Sequence, residues 1–403
     1  MPNISEYSGL SMANIASISG LDVPAGGRSV GAGTYMFGDS VNTWAYHFSS
    51  VDSDFGPEFY ALTSSTAHIF DKVVSNYYFN FWALKGDGTL WMLNRSTTYN
   101  SYGTQTEWTQ FGTDTDWEDI AGGRFEFAAI KNGEYYHLGY NFYRQAGNGT
   151  NTNTTSWTKV GTDTDWVRVE RGENFTIIMN DSGEVYTAGR NINYRTGQGT
   201  TSGNTDPLTA LSGVSNAIDI SASYDGGGAI IEATAGDGYG SLYVWGYNNG
   251  NSLGISGQKS SATLTAISGG GTLNDVVSVG LGRYTGHVVT DNGYLYRAGY
   301  ANNNVQWDET GTKSSGWDRD GTYTGFTKVY GAGARSGYGA AFRKDSKTYV
   351  TGHTAGNITE GELIIEGASR TAIEDLSMFA GLTVNRVIPV QGQQSNMVLV
   401  SVS

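Results

Sequence analysis

Ser156 to Thr200 reads SWTKVGTDTDWVRVERGENFTIIMNDSGEVYTAGRNINYRTGQGT, and this stretch decides the fold. Its segments alternate apolar and polar residues, and each break carries turn chemistry. Trp166 to Glu170, Phe175 to Met179 and Glu184 to Thr187 read as three short strands. Asp181-Ser182-Gly183 is a hairpin turn, in which glycine takes positive φ at little steric cost.

The unit is one copy of several. Gly112 to Trp117 (GTDTDW) recurs letter for letter at Gly161 to Trp166, 49 residues later. Trp108-Thr109-Gln110-Phe111 leads into the first and Trp157-Thr158-Lys159-Val160 into the second. Aligned on the hairpin glycine, Gly88, Gly133, Gly183, Gly240 and Gly293 are each followed by a strand pair such as Leu90-Trp91 or Val185-Tyr186. Gly139, Gly189, Gly246 and Gly299 follow at +6, and Asn141, Asn191 and Asn248 at +8. A further copy places Ser346 at the turn, and turns recur every 45 to 57 residues. Periods of this size belong to solenoids, propellers or arrays.

The two ends supply matching halves. Ala32 to Gly38 fits the segment after a turn, and Met397 to Val402 the segment before one. One sheet built from both would close a ring and remove the edges that an open array exposes. The expected fold is therefore all-β: a seven-bladed β-propeller whose N- and C-terminal strands share the closing blade, over residues 29–403.

These residues carry a resemblance. The pattern from Trp157 to Thr200, with its partner from Trp108 to Thr150, resembles the bacterial branch of the regulator of chromosome condensation repeat family. The resemblance implies seven blades of four strands closed by both termini. It specifies fold far better than function, since one scaffold hosts many jobs.

Composition bounds the rest. With 58 Gly against 5 Pro, and 10 Trp, 26 Tyr and 15 Phe, the chain suits tight turns and aromatic strands. Zero Cys excludes disulfides and thiolate metal sites. No apolar run approaches a transmembrane span, so no membrane insertion is expected. A formal charge of −14, without a dense basic stripe, argues against nucleic acid as a partner.

Residues 1–28 are not a blade, and they lack the basic start and apolar core of a signal peptide. Asn3 to Leu10 returns as Asn14 to Leu21 with a period of 11, before a flexible joint at Pro24-Ala25-Gly26-Gly27. This leader resembles those on structural proteins of marine and cyanobacterial tailed phages. Ile4, Tyr7, Leu10, Met12, Ile15, Ile18 and Leu21 on a slender arm call for burial, on the chain's own propeller or on a neighbouring particle protein. The arm is thus expected to bind other virion proteins, capsid or tail subunits, on the outside of a phage particle.

Candidate recognition residues lie in loops. Trp307, Trp317 and Tyr323 stand among acidic residues in an insertion between Tyr300 and Gly325. Such residues can stack on and hydrogen-bond a host-surface glycan or protein. Tyr99, Tyr102, Phe142, Tyr143 and Tyr194 occupy corresponding loops and would form a ring if they share a face.

No catalytic constellation emerges. His47, His68, His137, His287 and His353 are scattered, and His287 falls at a strand position that suits a structural histidine. The paired aspartates of GTDTDW lack the glycine and distal glutamate of a calcium loop, and capping of backbone N–H groups explains them better. Gly226-Gly227-Gly228 and Gly269-Gly270-Gly271 are followed by no Lys-Ser/Thr, so neither is a phosphate loop. The reading is a non-enzymatic virion protein without cofactor. A free-standing bacterial binding module is the alternative, and a propeller glycoside hydrolase with a carboxylate pair stands third.

Overall fold

A computed structural model describes residues 32–39, 51–52, 58–201, 203–232, 234, 236–265, 270–299, 316–319, 324–330, 340–344, 347–351, 384–392 and 398–403. The arm residues Ile4 to Leu21, together with Trp307 and Tyr323, lie outside them.

Five antiparallel four-stranded units follow one another, at 72–110, 117–159, 166–210, 217–264 and 276–319. Their first strands, Lys72–Ser75, Trp117–Gly122, Trp166–Arg171, Ala217–Ala222 and Val276–Leu281, face one another around a central cavity. This is an all-β propeller, and the expected count of seven is corrected: five complete blades form among the described residues. Among the described residues Phe326–Tyr330, Ala340–Lys344 and Lys347–Thr351 make a sheet of three strands. Among the described residues the chain ends make no separate blade either. Gly33–Asp39 pairs with Val398–Val402, but Val390 to Gly392 pairs in parallel with Val73 to Ser75, which fuses the ends with the first blade into a nine-stranded sheet.

The core lies between blades rather than inside them. Trp82, Leu84 and Leu90 of the first blade pack on Trp117, Ile120, Phe127 and Leu138 of the second. Equivalent clusters centre on Trp166 and Ile178, on Phe175 and Trp245, and on Leu253 and Trp317. Fully buried rings such as Trp82 each contribute roughly 1.5–3 kcal/mol or more by leaving water. The glycine run Gly226-Gly227-Gly228 lies inside a strand, where a Cβ on Gly227 would stand 2.7 Å from the Trp245 ring. Its glycines make room for an indole.

One backbone device joins the blades. The N–H of Trp117, Trp166, Ala217 and Phe326 donates to the carbonyl of Gly88, Gly133, Gly183 and Gly293 respectively, at 3.0–3.2 Å. Each of these hairpin glycines has positive φ, and Thr164 O lies 2.2 Å from where a Cβ of Gly133 would be. GTDTDW is thus a docking turn for the preceding hairpin. Capping by its aspartate side chains is corrected: Asp114 instead pairs with Lys131 at 2.8 Å, and Asp165 accepts from Asn180 at 3.4 Å.

Candidate binding surface

Antiparallel connection divides the turns between the two ends of the propeller. First-to-second-strand turns and third-to-fourth-strand loops gather at one end, and the hairpins and GTDTDW turns at the other. The second end is acidic, with Asp87, Asp114, Asp116, Asp163, Asp165 and Asp181 among its turn residues.

The first end carries aromatic rings and arginines. Tyr77 and Tyr78 of the first blade contact Phe125 of the second at centroid distances of 5.7 and 5.1 Å. Phe125 touches Tyr140 at 5.8 Å, and Tyr140 meets Tyr99, Phe142 and Tyr143 at 5.5, 6.2 and 6.1 Å. The Arg190 guanidinium, from the third blade, lies 4.6 Å over Tyr143. The result is one continuous surface across three blades, with Phe142 57% and Tyr77 42% exposed. Of the loop aromatics singled out from sequence, Tyr99, Phe142 and Tyr143 come together here. Tyr102 does not: its ring wedges against Trp82 and Phe111, and its hydroxyl accepts from the Trp157 N–H at 2.7 Å.

The loops that carry these rings are held by the +8 asparagines. Buried Asn141 accepts from the Ala146 N–H at 2.8 Å and donates to Thr150 O at 3.0 Å. Asn191 and Asn248 make the same kind of loop-spanning contacts to Thr196 and Leu253. Each asparagine supplies backbone-like partners inside a loop that has no strand neighbour.

Nearer the axis the same end is charged. Tyr77, Arg124, Glu173, Tyr224 and Arg283 are equivalent positions of successive first-to-second-strand turns. Arg124 binds Glu173 at 2.7 Å, and buried Arg195 holds both Glu173, at 3.2 Å, and Asp225. Burial pushes the Tyr224 phenol up to about 12, helped by its hydrogen bond to Glu173. Arg283 stacks between Tyr224 and Tyr284, at 4.4 and 4.8 Å.

Below this mouth lies a cavity of about 220 Å³. Lys72, Asp119, Arg168, Asp219, Ser278 and Lys328 each follow by two residues the equivalent first-strand positions Phe70, Trp117, Trp166, Ala217, Val276 and Phe326. A register shift recurs at this point in the strands that begin at Trp117, Trp166, Ala217, Val276 and Phe326, the mark of a β-bulge that re-aims the next side chain. The charges alternate: Lys72 to Asp119 is 2.8 Å, Lys72 to Glu170 3.5 Å, and Arg168 to Asp219 2.9 Å. Burial raises the Asp119 carboxyl, but Lys72 and Arg168 outweigh it and hold it below the usual range. This ring was not foreseen. The signal was available at the second residue after each docking tryptophan or its equivalent.

Trp317 requires correction as a recognition residue. It is fully buried, and Gly254 and Gly286 leave space for its indole between the fourth and fifth blades. The histidines near the core are kept neutral by burial: His68 falls to about 4 and His287 to about 3, and buried His137 lies well below its ordinary value. Among the described residues no cluster of His, Asp and Glu could hold a metal ion.

No protein-family profile matches the chain. Solved structures do. Human WBSCR16 superposes with a TM-score of 0.65 at 15% identity, over 92% of this chain and 99% of its own. Yeast RCC1 (Prp20), solved bound to Kap60, gives 0.63 at 13% identity over 92% and 89%. The fold is that of an RCC1-type propeller. A second structure, of Prp20p from Saccharomyces cerevisiae, gives 0.62 at 13% identity over 93% and 92%, and its description includes binding to Gsp1p and histones. At these identities the likeness of RCC1-type propellers to this chain concerns architecture, and the surface chemistry must be read from its own residues.

Proposed function

We propose that this chain is a protein-binding propeller without catalytic chemistry, and that it docks its partner on the aromatic–arginine end. The observation that carries this reading is the continuity of Tyr77, Phe125, Tyr140, Phe142 and Tyr143 across adjacent blades. Rigid aromatic rings flanked by guanidinium groups are the residue types in which interface hot spots concentrate. Support of a general kind comes from yeast Prp20, which is described in complex with Kap60.

In its finer form the proposal makes the chain a structural protein on the exterior of a bacteriophage particle. Residues 1–28 would anchor it by burying Ile4, Ile15 and Ile18 in a groove of another virion protein. The repeat within this leader, and its resemblance to phage leaders, support that reading. Mass spectrometry of purified virions should then find the chain. Deletion of residues 1–28 should abolish incorporation while leaving the propeller folded by circular dichroism. Absence from virions, with a partner still held by the armless protein, would replace the particle assignment with a free-standing binding module.

A further inference from the structure

We infer that the partner segment taken by the aromatic–arginine end is acidic: a peptide stretch that carries carboxylates beside apolar or aromatic side chains. The inference rests on the protein-binding reading above and names the chemistry that end selects.

The first ground is the supply of free donors. Arg190 and Arg283 each stack on tyrosine rings, and among the described residues neither guanidinium makes an ion pair, although Arg283 lies near enough to Asp225 to favour its charged form. The remaining guanidinium N–H groups of the two arginines can donate in charge-assisted, paired hydrogen bonds to an arriving carboxylate. Ring stacking holds each guanidinium plane in place, so little freedom is lost on binding.

The second ground is the shortage of free acceptors. Glu173 and Asp225 are committed to Arg124 and Arg195, and Asp206 to Arg144. Glu126 is buried with its carboxyl pushed up to about 6 by desolvation, and one oxygen accepts from the Phe125 N–H. A glycan surface needs free acceptors for sugar hydroxyls. Its carboxylates are buried or held by arginines, so the accessible surface of this end offers mainly donors and apolar rings, which fits an acceptor-rich peptide.

The third ground is the contrast between the two ends among the described residues. The described turns of the opposite end gather aspartates, whereas Arg95, Arg124, Arg144, Arg190, Arg195 and Arg283 all stand at this end. Among these turns an acidic segment meets guanidinium groups at one end and carboxylates at the other.

The test is fluorescence anisotropy of the full chain with a fluorescein-labelled peptide of alternating Glu and Tyr. Parallel titrations use peptides with Gln or Lys in place of Glu. The acidic peptide should bind about tenfold or more tightly than the Gln peptide, and its affinity should fall as salt is raised. Arg190→Gln and Arg283→Gln should each weaken it severalfold without altering the melting temperature. Arg190 lies at the rim, so its variant keeps the test informative should Arg283→Gln disturb folding. Equal binding of the Glu and Gln peptides would overturn the acidic preference and leave an aromatic docking face standing. Loss of acidic-peptide binding in Lys131→Gln, whose cation stands at the other end, with Arg190→Gln unaffected, would place the site there and overturn both readings.

Discussion

At the scale of single residues, the hairpin glycines matter because another blade's backbone occupies the space of their missing side chain. Gly133→Ala should destabilise the protein by about 2 kcal/mol or more, since it combines φ of +71° with an oxygen 2.2 Å from the new carbon. Gly112 has φ of +64° and nothing within 4 Å, so Gly112→Ala should cost only about 1 kcal/mol. Urea denaturation of the two variants checks this, and equal losses would contradict the docking role. The buried histidines set a pH response. His68 and His287 fold with values of about 4 and 3 against 6.5 unfolded, so the unfolded chain binds more protons on acidification. Their contribution to stability is full above pH 6.5 and is lost as pH falls toward those values. Glu126, raised to about 6 from 4.5, works the other way, and its contribution fades as pH rises through that window. His287→Ile, which copies Ile177 of the third blade, should flatten the drop in melting temperature between pH 6.5 and 4. An unchanged pH profile would show that His287 is not a source of the drop.

At the scale of strands and blades, the charged ring around the cavity ties the inner strands together by side chains as well as backbone. Asp119 accepts from Lys72 at 2.8 Å and from the Val169 N–H at 2.9 Å, so it links three blades. Asp119→Ala leaves the buried Val169 N–H without its acceptor and Lys72 with Glu170 alone, and should cost about 3–5 kcal/mol. Lys72→Met removes one partner whose place Arg168 partly fills, and should cost less. Chemical denaturation gives both values, and a reversed order would refute the linking role of Asp119. The repeat itself was legible in sequence because GTDTDW and the hairpin glycine are fixed by backbone contact between blades. Gly240 aligned less faithfully: it has no positive φ, because the loop before it is longer and is held by Glu232, which accepts from the Gly236 and Gly238 N–H groups at 2.7 and 2.6 Å. The charged ring was hidden since each strand contributes one charge, which in isolation reads as a solvated position. Trp317 misled for the opposite reason. Its neighbours Asp318 and Arg319 are polar, yet Gly254 in a fourth-blade loop and Gly286 on a fifth-blade strand open a slot for its ring.

At the scale of the whole molecule, closure and polarity both emerge only from assembly. Val398–Val402 lies between the N-terminal strand and Val384–Gly392, so the last residues sit inside a sheet rather than at its edge. Deleting residues 398–403 exposes two strand edges and should abolish the single cooperative thermal transition. A truncated chain that melts at the original temperature would contradict the closing role. The number of blades eluded the sequence because a half repeat at each end looks like one complete blade. Pairing of those ends with the first blade through Val390 and Val73 could not be read from either strand. The aromatic–arginine end was half legible. Its loop aromatics were visible, but Tyr77, Phe125 and Tyr140 lie in separate repeats, and only the ring of blades brings them into contact.

The central claim is that partners dock on the aromatic–arginine end, and site-specific photo-crosslinking tests it most directly. A photo-reactive phenylalanine analogue would replace Phe142 or Tyr77 at that end, and Ser182 or Asp291 at the acidic end. Irradiation is carried out in the particles or cells from which the protein comes. The account predicts discrete crosslinks to another protein from Phe142 and Tyr77, weakened by Arg190→Gln. Crosslinks from Ser182 and Asp291 alone would contradict it.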